Sequence, residues 1–313
     1  LELDDLNANS PLILAHRGAS GFRPEHSLEA FSLALEQGAD VLEPDLMMSA
    51  DGVLVVRHDF GLQRSTDVVA HPELWSRART LARTGDPARN LEFDVPVSAL
   101  SLSELKRLRC KQPWPSRLQC FNDRSGILTF AELLDFAERE SRRRGKTIVV
   151  YPELKHPSEH RAVGLDICEA FIAEMRARAV SGKSAPVWVQ CFEHEELLRV
   201  RAATGLTTVA LIDQHMPIEW SYLSSCADGI GIAKSRLCTE PGRDNGMTRA
   251  LKQAGFFVHA WTFRDDQIAP GDDAEQELLR YFNFGVDGVF SDFPSTAFRA
   301  RAQFLKHAGT SRG

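Results

Sequence analysis

Several absences narrow the class of this chain before any motif is read. No apolar run reaches the about 20 residues a membrane-spanning helix needs, so no integral membrane segment is expected. The six cysteines, at 110, 120, 168, 191, 226 and 238, contain no C-x-x-C pair, which leaves neither a zinc site nor a redox motif. Basic charge is not in excess. There are 37 Lys and Arg against 43 Asp and Glu, a formal net charge of −6. That balance argues against nucleic acid as a partner, yet it permits a basic pocket for an anionic small molecule. No flexible linker interrupts the 313 residues, of which 43 % are hydrophobic, so the expectation is one domain over 1–313. The opening LELDDLNANS is acidic and unlike a signal peptide. It favours a cytoplasmic location, or a periplasmic one if a leader has been removed. Oligomeric state is left open. Cys168 and Cys191 lie in apolar patterns and read as buried thiols. Cys110 and Cys120 are a candidate disulfide, with free thiols the favoured reading.

What is present is a rhythm. Short apolar runs read as strands at 12–16, 40–46, 147–155, 187–192, 207–213, 228–233, 257–263 and 287–292. Helical patterns follow them at 27–37, 129–144, 159–180, 193–203, 247–254 and 295–308, with shorter ones at 219–225 and 275–284. Ser27 and Thr129 are expected N-caps, and Glu132 completes a capping box with Thr129. One further run, VLVVRHD (53–59), follows Asp51-Gly52, a hairpin turn signal. A turn that tight cannot carry a parallel crossover, so the run reads as an antiparallel arm folded onto strand two. Eight β/α units remain, the count of a (β/α)8 TIM barrel, an α/β fold. The stretch at about 60–128 breaks the rhythm and reads as an inserted subdomain after the second strand and its arm. Within it PELWSRARTLAR and SLSELKRLR have helical patterns.

Such barrels build their sites at the C-terminal strand ends. Strand one ends in His16-Arg17, strand two carries Glu43 and Asp45, and the arm ends in His58-Asp59. Strand three ends with Glu153 and Lys155. Strand four has Gln190 and Phe192, strand seven Trp261, and strand eight ends at Asp292. Glu43 and Asp45, two apart, share one face of a strand. Three carboxylates at neighbouring strand ends suit a hard divalent cation, Mg or Ca, or Mn. A buried salt-bridge network with Arg17 and Lys155 carries equal weight on chemistry alone. His16 and His58 shift the balance, because two imidazoles can serve as one general acid and one general base near neutral pH. With Arg17 and Lys155 able to hold an oxyanion, the set points to cleavage at phosphorus.

The stretches HRGASGFRPEHSLEAF, EPDL…DGVLVVRHD, PELK and GVDGVFSDFP, in that order, resemble the glycerophosphodiester phosphodiesterase family. The resemblance runs from residue 12 to 294 and implies the same barrel. It implies a metal-dependent enzyme that hydrolyses small-molecule glycerophosphodiesters to glycerol 3-phosphate and an alcohol. By motif match His16 and His58 carry acid/base chemistry, Glu43, Asp45 and Glu153 bind one divalent cation, and Arg17 and Lys155 contact the phosphate. Trp261 falls where the family has an aromatic near the glycerol, and Gln190 and Phe192 join the substrate-binding set. Pro44 and Pro152 depart from the common pattern; each removes a backbone donor and should distort the ladder locally while leaving the carboxylates in place. His26 stands where Asn is common, and Glu25 beside it is placed to orient Arg17 or assist the metal. The long insertion resembles a lidded branch often periplasmic in bacteria. Two other functions fit the same residues. A lyase releasing a cyclic phosphate would use the same histidines. A non-catalytic phosphate or headgroup binder is disfavoured, since a binder has no need of two acid/base groups. His259 alternates with Trp261 and reads as structural. Trp75 and Trp114 belong either to the core of the insertion or to the substrate face.

Overall fold

The computed structural model of the chain describes residues 10–82, 91–240, 242–268 and 271–310. In chain order the strands are β1 (Leu12–His16), β2 (Val41–Glu43), β3 (Asp45–Met48), β4 (Leu54–Val56), β5 (Arg79–Ala82), β6 (Leu91–Asp94), β7 (Val149–Val150) and β8 (Glu153–Leu154). They continue with β9 (Trp188–Cys191), β10 (Thr207–Ile212), β11 (Gly229–Ala233), β12 (Cys238–Glu240), β13 (Arg243–Asp244), β14 (Phe257–Phe263) and β15 (Gly288–Ser291). β1 pairs in parallel with both β2 and β15, which closes the barrel. The two prolines explain the doubled strands. Pro44 separates β2 from β3 and Pro152 separates β7 from β8, yet both pairs continue one line. The Glu153 amide donates to the Pro44 carbonyl and the Gln190 amide to the Pro152 carbonyl, each at 2.9 Å. The expected antiparallel arm is β4, whose Val56, Val55 and Leu54 face Leu46, Met47 and Met48 of β3.

Side chains alternate along the strands as period two requires. Ile13 and Ala15 point outward into a core shared with the helices, where Phe31, Phe171 and Phe282 are fully enclosed or nearly so. Leu12 and Leu14 point inward to meet Val41, Tyr151, Trp188, Val209 and Phe290. Each such side chain contributes roughly 1.5–3 kcal/mol on burial.

The helices are α1 (Leu28–Glu36), α2 (Pro72–Trp75), α3 (Leu102–Leu105), α4 (Phe130–Arg144), α5 (Pro157–Ala162), α6 (Ile167–Ala177), α7 (His194–Thr204), α8 (Trp220–Cys226), α9 (Met247–Gln253), α10 (Ala274–Asn283) and α11 (Pro294–Thr310). Ser27 caps α1 by accepting from the Ala30 amide at 3.1 Å, and Thr129 with Glu132 forms the expected box on α4. The single helix expected over 159–180 is two, α5 and α6. Gly164 takes φ +81° between them, and Asp166 recaps the chain by accepting from the Glu169 amide.

The insertion builds its own core of Phe60, Leu62, Val68, Leu74, Val95, Val97, Leu100, Leu105 and Leu108 on Met47 of β3 and Val55 of the arm. Its first helical pattern ends at Trp75; residues 79–82 are instead β5, paired antiparallel with β6. The second pattern keeps only one turn, α3. All six cysteines are free thiols: Cys110 is buried against the Arg57 guanidinium at 3.5 Å and Cys120 is exposed. Among the described residues no helix is long and apolar enough to cross a membrane.

Candidate active site

The C-terminal strand ends open into a cavity of about 800 Å³. His16, Arg17, Glu43, His58, Glu153, Lys155, Gln190, Phe192 and Trp261 all line it. Asp45, the tenth residue singled out from the sequence, lies buried beside them. His156, His215, Lys234 and Arg264 also reach this cavity, and no pattern in the sequence had marked them.

Glu43, Asp45 and Glu153 converge because β2, β3 and β8 place them side by side, with Asp45 directly opposite Glu153 in the register. Each offers an oxygen within 4.8 Å of the others, and all three are buried. The cations beside them are unevenly shared. Lys155 Nζ lies 2.7 Å from Glu153 and 3.9 Å from Asp45. Arg17 Nε lies 3.1 Å from Asp45, close but not aligned as a hydrogen bond, while its Nη1 donates to Glu25 at 3.1 Å. Among the described residues Glu43 has no Lys or Arg side chain within ion-pair distance; its oxygens accept from Gln190 Nε2 at 2.9 Å and the Arg17 amide at 3.1 Å. The result is a divided cluster. Burial, then the Asp45 and Glu153 charges, push Glu43 well above the usual carboxylate range. Burial raises Glu153 to about 7 despite Lys155. Asp45 is held well below its ordinary value, because His58, Arg17 and Lys155 together outweigh its burial. Two buried carboxylates that resist ionisation beside a third that is ionised are what an unscreened cation site looks like. The residues fit a divalent cation.

Local backbone aims these groups. Arg17 itself adopts φ 60°, and Gly18 follows at φ +84°. A Cβ on Gly18 would lie 2.7 Å from the Ala30 carbonyl carbon, so only glycine lets α1 approach the end of β1 this closely. Glu25 lies on Arg17 and is not part of the three-carboxylate cluster. His26 is fully buried behind Asp45 and accepts from its amide at 3.1 Å.

The two histidines are each backed by a carboxylate. His16 Nδ1 sits 2.6 Å from Asp292 Oδ1, and His58 Nδ1 sits 2.7 Å from Asp59 Oδ1. Burial first, and the Arg17 charge next, lower both rings to about 4. Asp292 stays ionised against its burial because His16, Arg264 and Arg117 surround it. An ionised carboxylate only accepts, so each Nδ1 carries the proton and each Nε2 is left as the free nitrogen. The partner role of Asp292 was not assigned from the sequence, although its position at the end of strand eight was visible there. Barrel closure brings it to His16.

Phe192 and Trp261 meet edge to face at 5.8 Å, and Lys155 Nζ lies 5.8 Å over Phe192. Gln190 Oε1 and Trp261 Nε1, on two cavity-lining side chains, are buried without a protein partner. His259 faces inward too, but on the barrel floor. It is fully buried among Tyr151, Trp188, Phe257 and Phe290, and burial lowers it to about 3. Trp75 packs on Phe93 inside the insertion, whereas Trp114 is ringed by the guanidinium groups of Arg64, Arg117 and Arg264.

The model of the glycerophosphoryl diester phosphodiesterase family matches residues 16–296. The glycerophosphodiester phosphodiesterase of Haemophilus influenzae is 30 % identical over 332 residues, covering 94 % of this chain and 90 % of that protein. The glycerophosphodiester phosphodiesterase of Treponema pallidum is 31 % identical over 328 residues, with 92 % and 90 % covered. Among solved structures, an Oleispira antarctica phosphodiesterase in complex with the product sn-glycerol-3-phosphate superposes with a TM-score of 0.68 at 22 % identity, covering 93 % of this chain and 96 % of that one. The Thermotoga maritima glycerophosphodiester phosphodiesterase superposes with a TM-score of 0.60 at 21 % identity, covering 94 % and 100 %. With its barrel, its acidic cluster and its ordered strand-end motifs, the chain belongs to the glycerophosphoryl diester phosphodiesterase family of enzymes.

Proposed function

We propose that the protein hydrolyses glycerophosphodiesters to glycerol 3-phosphate and an alcohol, with one divalent cation held by Glu43, Asp45 and Glu153. The observation that carries this reading is the pairing at one mouth of two carboxylate-backed imidazoles with a buried, under-neutralised triad of carboxylates. Membership in the family and the product in the Oleispira antarctica complex support the same reaction.

Bound there, the cation supplies Lewis-acid stabilisation of charge on the phosphoryl oxygens. The chain's own residues do the rest. Arg17 and Lys155 hold the phosphate anion. Trp261, Phe192 and the unpartnered Gln190 Oε1 receive the rest of the substrate. One histidine takes a proton at Nε2 from the attacking water, and the other delivers one to the departing alkoxide. Both rings are neutral in the free protein, which suits the base. A phosphodiester anion beside Arg17 offsets the repulsion that lowers the rings, so the second can hold the proton an acid needs.

Turnover of glycerophosphocholine, -ethanolamine, -glycerol and -inositol tests the reading. Activity should vanish on chelation and return with Mg²⁺ or Ca²⁺, and phosphorus NMR should show glycerol 3-phosphate from the earliest time points. A cyclic phosphate appearing first would make the enzyme a lyase. Full activity in excess EDTA would remove the cation from the mechanism.

A further inference from the structure

We infer that Arg117, carried by the insertion, is a positioning residue for the His16–Asp292 pair. The inference rests on the reading of His16 as a proton carrier and adds to it a residue outside the barrel.

Asp292 has two oxygens with different duties. Oδ1 faces His16 Nδ1 at 2.6 Å. Oδ2 accepts from Arg117 Nη2 at 2.7 Å and from Arg264 Nε at 3.0 Å. A carboxylate gripped at one oxygen cannot rotate its other oxygen off the imidazole, so the ring's orientation and tautomer follow from the grip. The two arginines are not equivalent. Arg264 lines the open cavity and its side chain is 23 % exposed, whereas that of Arg117 is 2 % exposed. The drier contact is the stronger and the less mobile of the two.

Arg117 is itself held from several sides. Its Nε and Nη2 lie 2.7 and 3.1 Å from the Asp266 carboxylate, and Nη1 lies 3.3 Å from the Ser20 carbonyl. The Trp114 and Phe293 rings lie 5.1 and 5.4 Å from its guanidinium carbon. Gln112, five residues earlier, donates to the carbonyls of Ser20 and Arg23 at 2.9 and 3.1 Å. The insertion is thereby bonded to the loop after β1, to the 3-10 turn Asp265–Gln267 beyond β14, and to Asp292 just beyond β15. The His58–Asp59 pair has a weaker equivalent, Arg64 at 3.5 Å from Asp59.

An anchor alone would need Asp266 and not Asp292, and the test separates the two. Arg117→Met removes both contacts; Asp266→Asn weakens the anchor and leaves the bond to Asp292. Arg117→Met should lose about 10–100-fold in kcat with KM within twofold, the size of one charge-assisted hydrogen bond expressed as a rate. Asp266→Asn should lose far less. Arg117→Lys, which restores a charge, should recover part of kcat. The downfield imidazole N–H proton signal that disappears in His16→Ala should move or broaden in Arg117→Met and persist in Asp266→Asn. Equal losses in Arg117→Met and Asp266→Asn, an unmoved signal, or a kcat within twofold of the parent would overturn the inference. Should Arg117→Met not fold, Arg117→Lys takes its place. A moved signal with reduced kcat supports the inference, and an unmoved signal with parental kcat overturns it. If His16→Ala itself keeps full activity, the proton-carrier reading has failed; if only Arg117→Met does, this inference alone has.

Discussion

Tyr151 and Glu153 stand two residues apart on one line of backbone and face the same barrel interior. The first belongs to an aromatic floor and the second to a charged mouth. The same step is repeated from Leu14 to His16, from Val41 to Glu43, from Trp188 to Gln190 and from His259 to Trp261. On the floor, rings meet rings: Tyr151 packs against Trp188, His259 and Phe290 at 5.5–5.8 Å. The mouth, 2 residues further on, holds charges that do not balance. Each end contains a histidine, fully buried on the floor and partly buried at the mouth. His259 has both ring nitrogens without a partner, while His16 has Asp292. The barrel thus separates stability from chemistry along a single strand length: the floor can be dry because it needs no ligand, and the mouth is left unbalanced in a way a cation and an anionic substrate would complete.

The comparison breaks most visibly at the mouth histidines. His16→Ala and His58→Ala should each lose roughly 10²–10⁴-fold in rate while remaining folded. On the proposed mechanism the pair works as a unit, so the double variant should be little worse than the poorer single one. A nitrophenyl phosphodiester, whose leaving group departs without help, should rescue one of them and thereby mark the general acid. A loss of less than a few-fold in either variant would make that histidine structural.

Glu43→Gln should come next, at roughly 10²–10³-fold in kcat. It should also sharpen the contrast by acting oppositely on stability. In metal-free buffer the variant loses a repelling carboxylate, so its Tm should equal or exceed that of the parent. The Tm gain on adding Ca²⁺ or Mg²⁺ should shrink. A parental Tm gain with metal would show that Glu43 does not hold the cation.

The floor gives the smallest effect on activity. His259→Leu should keep turnover within about twofold of the parent at pH 8. Its signature is in acid. The unfolded imidazole takes up a proton below about 6.5, while the folded one does so only near 3. Folding therefore loses stability as pH falls through that window, by about 2 kcal/mol at pH 5 from this one ring. The variant should melt with a visibly flatter dependence on pH between 7 and 5. Parallel curves for variant and parent would mean that His259 is not buried neutral.

Much of this architecture was legible before any coordinate. Apolar runs spaced by helical patterns marked the eight units, and Asp51-Gly52 marked the arm, because turn chemistry and periodicity act over a few residues. The insertion is less legible in the sequence. The apolar spacing at 72–83 suggested a helix, but residues 79–82 found a strand partner in 91–94, and pairing outweighed propensity. The helix over 159–180 broke at Gly164, where a left-handed residue could end one helix before Asp166 started another.

By itself the sequence determined which side chains end which strands, and that Glu43 and Asp45 share a face, since both follow from a two-residue period. Only the tertiary structure decided who meets them. Asp292 reaches His16 across 276 residues because strand eight closes on strand one. Glu153 faces Asp45 because β8 lies beside β3. Arg117 arrives from an insertion whose path no local pattern describes. These contacts depend on closing a ring and docking an insertion, and the physical chemistry of closure is a property of the whole chain, not of any window along it.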